Sequence, residues 1–248
     1  MTPEPVVLRG TPSRLSVVLE DRHRVEEPAA ASVAADFPGA QVERLRVVRR
    51  GGESPAVRLR LAASTPPGRY KGQITVGHSK LPAVVEVVPK RRLRAEPSRL
   101  MLTGSAGAEV TQSVLLANVG NVPCVVPARS RVGLLAEGAW GGAFWYALTE
   151  PNGEGVGRFE KFIDRLAERA AGLADVRLDR AATIEPGASE RVEITVRLPD
   201  GIEPGTTYLG TWEPEGLRLG LRVEGGARPT RRRAASRPRT TQRKRKGE

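Results

Sequence analysis

Cysteine is almost absent. The single thiol, Cys124, excludes an internal disulfide and every zinc pattern built from several cysteines. It sits in Val122-Pro123-Cys124-Val125-Val126, an apolar strand-like run, and reads as buried packing rather than as a reactive group. Histidine is nearly as scarce. His23 and His78 fall in different predicted loops, and neither has a second ligand at metal spacing, so no metal site is expected. The chain also lacks a Gly-x-x-x-x-Gly-Lys-Ser/Thr phosphate loop, a Gly-x-Gly-x-x-Gly turn opening a helix and a Gly-x-Ser-x-Gly elbow. Nucleotide, dinucleotide and hydrolase readings therefore lack their parts, and no cofactor is expected. Glu26-Glu27 and the carboxylates from Asp175 to Asp179 read as solvated surface groups. No catalytic residue is assigned, and a non-enzyme is expected.

Long apolar runs are missing too. No segment approaches the roughly 18 apolar residues of a membrane span. The start, Met1-Thr2-Pro3-Glu4-Pro5, has neither a basic stretch nor an apolar one. A cytoplasmic protein without a membrane partner is expected, although a secreted chain already freed of its signal would read the same way.

What the chain does have is turn formers and alternation. Its 248 residues include 27 Gly and 20 Pro, residues that interrupt helices and punctuate hairpins, and the length gives room for two ordinary domains. Pro12-Ser13-Arg14-Leu15 is matched by Pro97-Ser98-Arg99-Leu100, each leading into an apolar run. Pro67-Gly68-Arg69-Tyr70-Lys71-Gly72 finds a counterpart in Pro204-Gly205-Thr206-Thr207-Tyr208-Leu209-Gly210. Before each second mark runs an alternating strand, Val57–Leu61 or Val192–Val196, and after it another, Ala83–Val88 or Leu217–Val223. Period-two spacing puts one face of a strand on a core and the other in water, as an antiparallel sandwich requires. A Pro-Gly turn followed by Tyr suits a corner where the tyrosine hydroxyl ties a crossing loop to the backbone; a plain strand tyrosine is the alternative.

The run Glu96–Gly104, then Val110–Leu116, then Asn118-Val119-Gly120-Asn121-Val122-Pro123, resembles the first strands of bacterial immunoglobulin-like modules of the fibronectin and major-sperm-protein sort. The resemblance covers most of 91–225 and extends more weakly over 1–90. It implies a mainly β fold of two immunoglobulin-like β-sandwiches, with domains at 1–90 and 91–225 and a short linker near Pro89–Arg92. Such modules serve many roles, so the resemblance speaks to architecture.

From the first repeat mark to the second, the later half is 52 residues longer, and the excess, placed at about 128–188, holds six of the ten aromatic residues. Within it, Phe159, Phe162, Ile163, Leu166, Ala170 and Leu173 share one face of a predicted amphipathic helix over Gly157–Leu173, which Gly172 should help to stop. Lys161, Asp164, Arg165 and Glu168 take the other face. Pro151–Gly155 reads as a turn. One reading docks the helix over the second sandwich with the aromatics as a satellite core. The other leaves Trp140, Phe144, Trp145 and Tyr146, flanked by Gly138, Gly141 and Gly142, as a partner-binding surface.

Net charge is +12. Residues 226–248 hold ten basic side chains and one acidic, with no aliphatic residue larger than Ala, so this segment is expected to be a disordered basic tail. Arg231, Arg232, Arg233, Arg243, Lys244, Arg245 and Lys246 are its candidate polyanion-binding residues. The function that best fits the whole is a non-enzymatic structural or protein-interaction module in a larger assembly. The alternatives are a nucleic-acid-associated accessory protein acting through the tail, and a carbohydrate-binding module that uses the tryptophans.

Overall fold

The computed structural model describes residues 4–19, 33–48, 56–149 and 155–227. In the first half, alternation sets two facing sheets. In strand β5 (Ala56–Leu61), Val57, Leu59 and Leu61 point inward while Arg58 and Arg60 face water. It lies between β2 (Leu15–Val18) and β4 (Val42–Val48) in a three-stranded sheet. The opposing sheet has the order β1-β7-β6-β3, from β1 (Val6–Gly10), β7 (Ser79–Val87), β6 (Gly68–Val76) and β3 (Val33–Asp36). Leu8, Leu15, Leu59, Leu61, Ile74 and Val85 fill the space between them.

The second half has its own apolar core. Its strands are β8 (Leu93–Glu96), β9 (Arg99–Gly104), β10 (Glu109–Asn118), β11 (Cys124–Val126), β12 (Arg129–Ala136), β13 (Ala170–Leu178), β14 (Ala182–Ile184), β15 (Ser189–Arg197), β16 (Thr207–Trp212) and β17 (Leu219–Gly225). Eight of them form one sheet, β8-β10-β15-β13-β12-β16-β17-β9, because β12 and β13 pair with each other and so join the two layers of the sandwich. Strands β11 and β14 make a separate pair. In both halves an early strand runs parallel to the last one, β1 beside β7 and β9 beside β17, and a hairpin joins the last two strands. Both halves are immunoglobulin-like sandwiches in this sense.

That topology corrects the first repeat match. Strand β9, which begins at Arg99, is the counterpart of β1, whereas Pro12–Leu15 lies after β1 and leads into β2. The four matched residues thus occupy different places in the two sandwiches. The second match holds. β6 and β16 both pair antiparallel with the last strand, and each tyrosine hydroxyl donates to a backbone carbonyl upstream: Tyr70 to Pro66 at 2.8 Å and Tyr208 to Gly201 at 3.3 Å. The Tyr208 oxygen also accepts from the Glu203 amide at 3.1 Å.

The Asn-x-Gly-Asn turn explains itself through its hydrogen bonds. Asn118 is buried; its Nδ2 donates to the carbonyls of Val122 and Ile184, both at 2.8 Å, and its Oδ1 accepts from the Gly120 amide at 2.9 Å. Asn121 turns the other way. Its Oδ1 accepts from the Lys90 amide at 2.6 Å, and its Nδ2 donates to Val88 and Thr65 carbonyls at 3.1 Å. Gly120 is required because a Cβ there would run into the Lys90 carbonyl oxygen. The turn that closes a strand connection in the second sandwich therefore also grips the connecting segment and the edge of the first.

Two helices, α1 (Ala139–Thr149) and α2 (Gly155–Glu168), stand between β12 and β13. They occupy only the middle of the 128–188 segment; its flanks are strands of the sandwich. Helix α1 lies where the sequence suggested no element. Gly141 and Gly142 weaken a helix by about 1 kcal/mol each relative to Ala, and apolar residues on every side mask the period of its small residues. Helix α2 ends five residues earlier than expected. Ala170 and Leu173 belong to β13, where pairing with β12 supplies the backbone bonds, and Gly172 sits there with φ of +109°, a strand irregularity rather than a helix stop.

Candidate functional site

The helical hairpin is rooted in the β12–β13 ladder. At its base the Ala136 amide donates to the Arg169 carbonyl and the Glu137 amide to the Thr207 carbonyl, at 2.9 and 2.8 Å. Helix α1 buries only Ala139, Ala143 and Ala147, a stripe of small side chains at i, i+4 and i+8, and it packs against α2. That stripe was the signal in the sequence that could have revealed α1. Trp140 lies 5.8 Å from Phe162, centroid to centroid, and Phe159 6.5 Å from the same ring. The Arg165 guanidinium sits over the Tyr146 ring at 5.1 Å while pairing with Glu168.

The satellite-core reading of this segment is overturned. Trp140 is 62% exposed, Trp145 68% and Phe159 64%, with Phe144, Tyr146, Leu148 and Ile163 also exposed. The helices cover each other and leave their aromatic flanks in water, because the hairpin extends from the sandwich instead of lying across it. All four predicted partner-binding residues, Trp140, Phe144, Trp145 and Tyr146, fall on α1. Gly138, Gly141 and Gly142 have open space around them, so packing within this chain does not require glycine there, although Gly138 has a positive φ of +80°. A groove of about 420 Å³ runs beside the hairpin base, lined in part by Trp145, Tyr146, Thr149, Arg165 and Arg169.

Cys124 is fully buried, and burial pushes its thiol up from the ordinary range, only partly opposed by a backbone hydrogen bond from Arg92. His78 is exposed in the β6–β7 turn, and Asp175 pairs with Arg131 at 3.3 Å and with Arg177 at 3.8 Å. Among the described residues no group of three or more His, Cys, Asp or Glu is placed to hold a metal ion. No helix among them is long and apolar enough to cross a membrane. His23, Glu26, Glu27, most of the Pro151–Gly155 turn and all seven basic tail candidates lie outside the described residues.

No family model matches the chain, and no curated protein matches it. Among solved structures it is similar to PapD-like domain 7 of human CEP192, at 14% identity over 56% of this chain and 89% of that one, with a TM-score of 0.29. The adhesin InvE of Yersinia pseudotuberculosis matches at 14% identity over 90% of this chain and 57% of its own, TM-score 0.25. An I-band fragment of titin matches at 9% identity over 91% and 63%, TM-score 0.30. The chain thus spans less than two thirds of the adhesin and of the titin fragment.

Proposed function

We propose that this chain is a non-enzymatic interaction module of a larger assembly, with domains at 1–90 and 91–225, and that the α1–α2 hairpin is the surface that takes a protein partner. The observation that carries the reading is the exposure of Trp140, Phe144 and Trp145 on one short helix. Each such side chain buries about 150–250 Å² when covered, worth several kcal/mol at about 25 cal/mol per Å². Leaving that area in water is costly for solubility, and a partner with an apolar cleft recovers it. The sandwich suits this work, because the hairpin is rooted in two paired strands, which reduces the chain freedom lost on docking.

The test compares wild type with the Trp140→Ala/Trp145→Ala variant by in-cell crosslinking in the native organism, after nuclease treatment. A defined protein crosslinked through α1 or α2 in wild type, and lost in the variant, is the expected result. A hot-spot tryptophan contributes about 2–4 kcal/mol, so binding of that partner should weaken at least thirtyfold. Retention of the same protein set by the variant refutes the assignment.

A further inference from the structure

A second surface lies on the first sandwich, on the water-facing side of the β2-β5-β4 sheet. Arg44 stands directly opposite Arg60 and Arg46 directly opposite Arg58 across the β4–β5 ladder, and all four side chains are exposed. Arg14 and Ser16 border the same shallow cavity, about 400 Å³ in volume. The register of β4 shifts between Val42 and Arg44, which turns both Glu43 and Arg44 to solvent; Glu43 then reaches Arg60 at 2.9 Å. It is the only carboxylate among the described residues that pairs with any of the five arginines.

Like charges directly opposite each other on neighbouring strands destabilise a sheet. Two such pairs in succession, with Glu43 the one carboxylate among the described residues that pairs with any of the five guanidinium groups, is an arrangement that folding alone does not favour. An anion laid across the face removes the repulsion. We propose that this arginine face is a binding site for the phosphodiester backbone of a nucleic acid.

Two features favour that ligand and a third sets how it binds. The positive groups are all Arg, whose planar fork donates two parallel hydrogen bonds to a phosphate. They form two rows about 5 Å apart, repeating at about 6.6 Å along the strands, so a chain with regularly spaced charges meets successive pairs. Neither aromatic residue of the first half lies on this face, because Phe37 is buried and Tyr70 is on the opposing sheet. Bases therefore find no stacking platform, and binding should be independent of sequence and strongly dependent on salt.

The test is fluorescence anisotropy with a labelled single-stranded oligonucleotide of about 15 nucleotides, on the full chain across a salt series. Four proteins are compared: wild type, a face variant (Arg44→Gln, Arg46→Gln, Arg58→Gln), a tail variant with the seven basic tail residues named above changed to Gln, and the two combined. Removing three phosphate contacts should reduce the log–log salt slope by about 2 and lower affinity at least tenfold at low salt, in the wild-type and the tail-variant background alike. The face variant should melt no lower than wild type, since it loses only repulsion. Unchanged affinity and slope in the face variant overturn the proposal. So does displacement of the oligonucleotide by polyaspartate with equal efficiency per charge, or a face-dependent loss seen only with anionic lipid vesicles.

Discussion

Asn121→Ala is the most informative single change outside the two surfaces. The Asn121 side chain is 2% exposed and satisfies three backbone groups, the Lys90 amide and the carbonyls of Val88 and Thr65. Each bond contributes about 1 kcal/mol net, and a partner left buried and unpaired costs about 1–3 kcal/mol. Lys90 and Val88 are only half-buried, so water repairs part of the loss, while the Thr65 bond lies in a buried setting. The sum is about 3 kcal/mol, which at a urea dependence of about 2–3 kcal/mol per molar lowers the denaturation midpoint by roughly 1 M. Circular dichroism in urea reads the midpoint, and hydrogen exchange reads the Lys90 amide, which should lose its protection. Asn121→Asp should do no better than Ala, because it keeps the acceptor for Lys90 but points an oxygen at two carbonyls. A midpoint within 0.3 M of wild type, about 0.5–1 kcal/mol, would show that the grip between the halves lies elsewhere and refute the reasoning.

Tyr208→Phe should destabilise by about 1–2 kcal/mol and Tyr70→Phe by less than about 1 kcal/mol, because the Tyr208 hydroxyl is buried with two partners and the Tyr70 hydroxyl is exposed with one; thermal melts of the pair check the order. Trp145→Ala should change stability by no more than about 0.5 kcal/mol, since the side chain is mostly in water, and the emission lost with it should be red-shifted relative to that of buried Trp212. Cys124 should be inert to thiol reagents in the native state and react only on unfolding. Its folded pKa lies above the unfolded one, so its contribution is intact below the ordinary thiol pKa of about 8.5 and declines as pH rises past it toward the folded value. A native-state labelling rate equal to that of a free thiol at pH 8 contradicts this.

Local pattern was enough for the strands that alternate. Val57-Arg58-Leu59-Arg60-Leu61 can bury only one face, and the same logic places β15 and β17, because side-chain direction in a strand is fixed by position alone; in β7 the expected alternation does not hold, since Ala83, Val84 and Val85 are all buried. The Pro-Gly-to-Tyr corners were legible for a similar reason: the hydroxyl reaches backbone only a few residues upstream. Helix α2 was legible in its last three turns through Phe159, Phe162, Ile163 and Leu166.

The remainder required contacts between distant residues. Ala170 and Leu173 continue the helical period of α2 perfectly well, and only the ladder from β12 draws them into β13. The aromatic residues of α1 have the composition of a core, and their exposure follows from where the β12–β13 ladder ends, which no local window contains. Arg44 and Arg46 are unremarkable as a charged strand and so are Arg58 and Arg60. Their opposition is a matter of register between segments about a dozen residues apart, set by a one-residue shift at Glu43. The sequence by itself determined which residues form most strands and corners. The tertiary structure decided which surfaces are left unpaired, because that depends on what each face meets across the sheet.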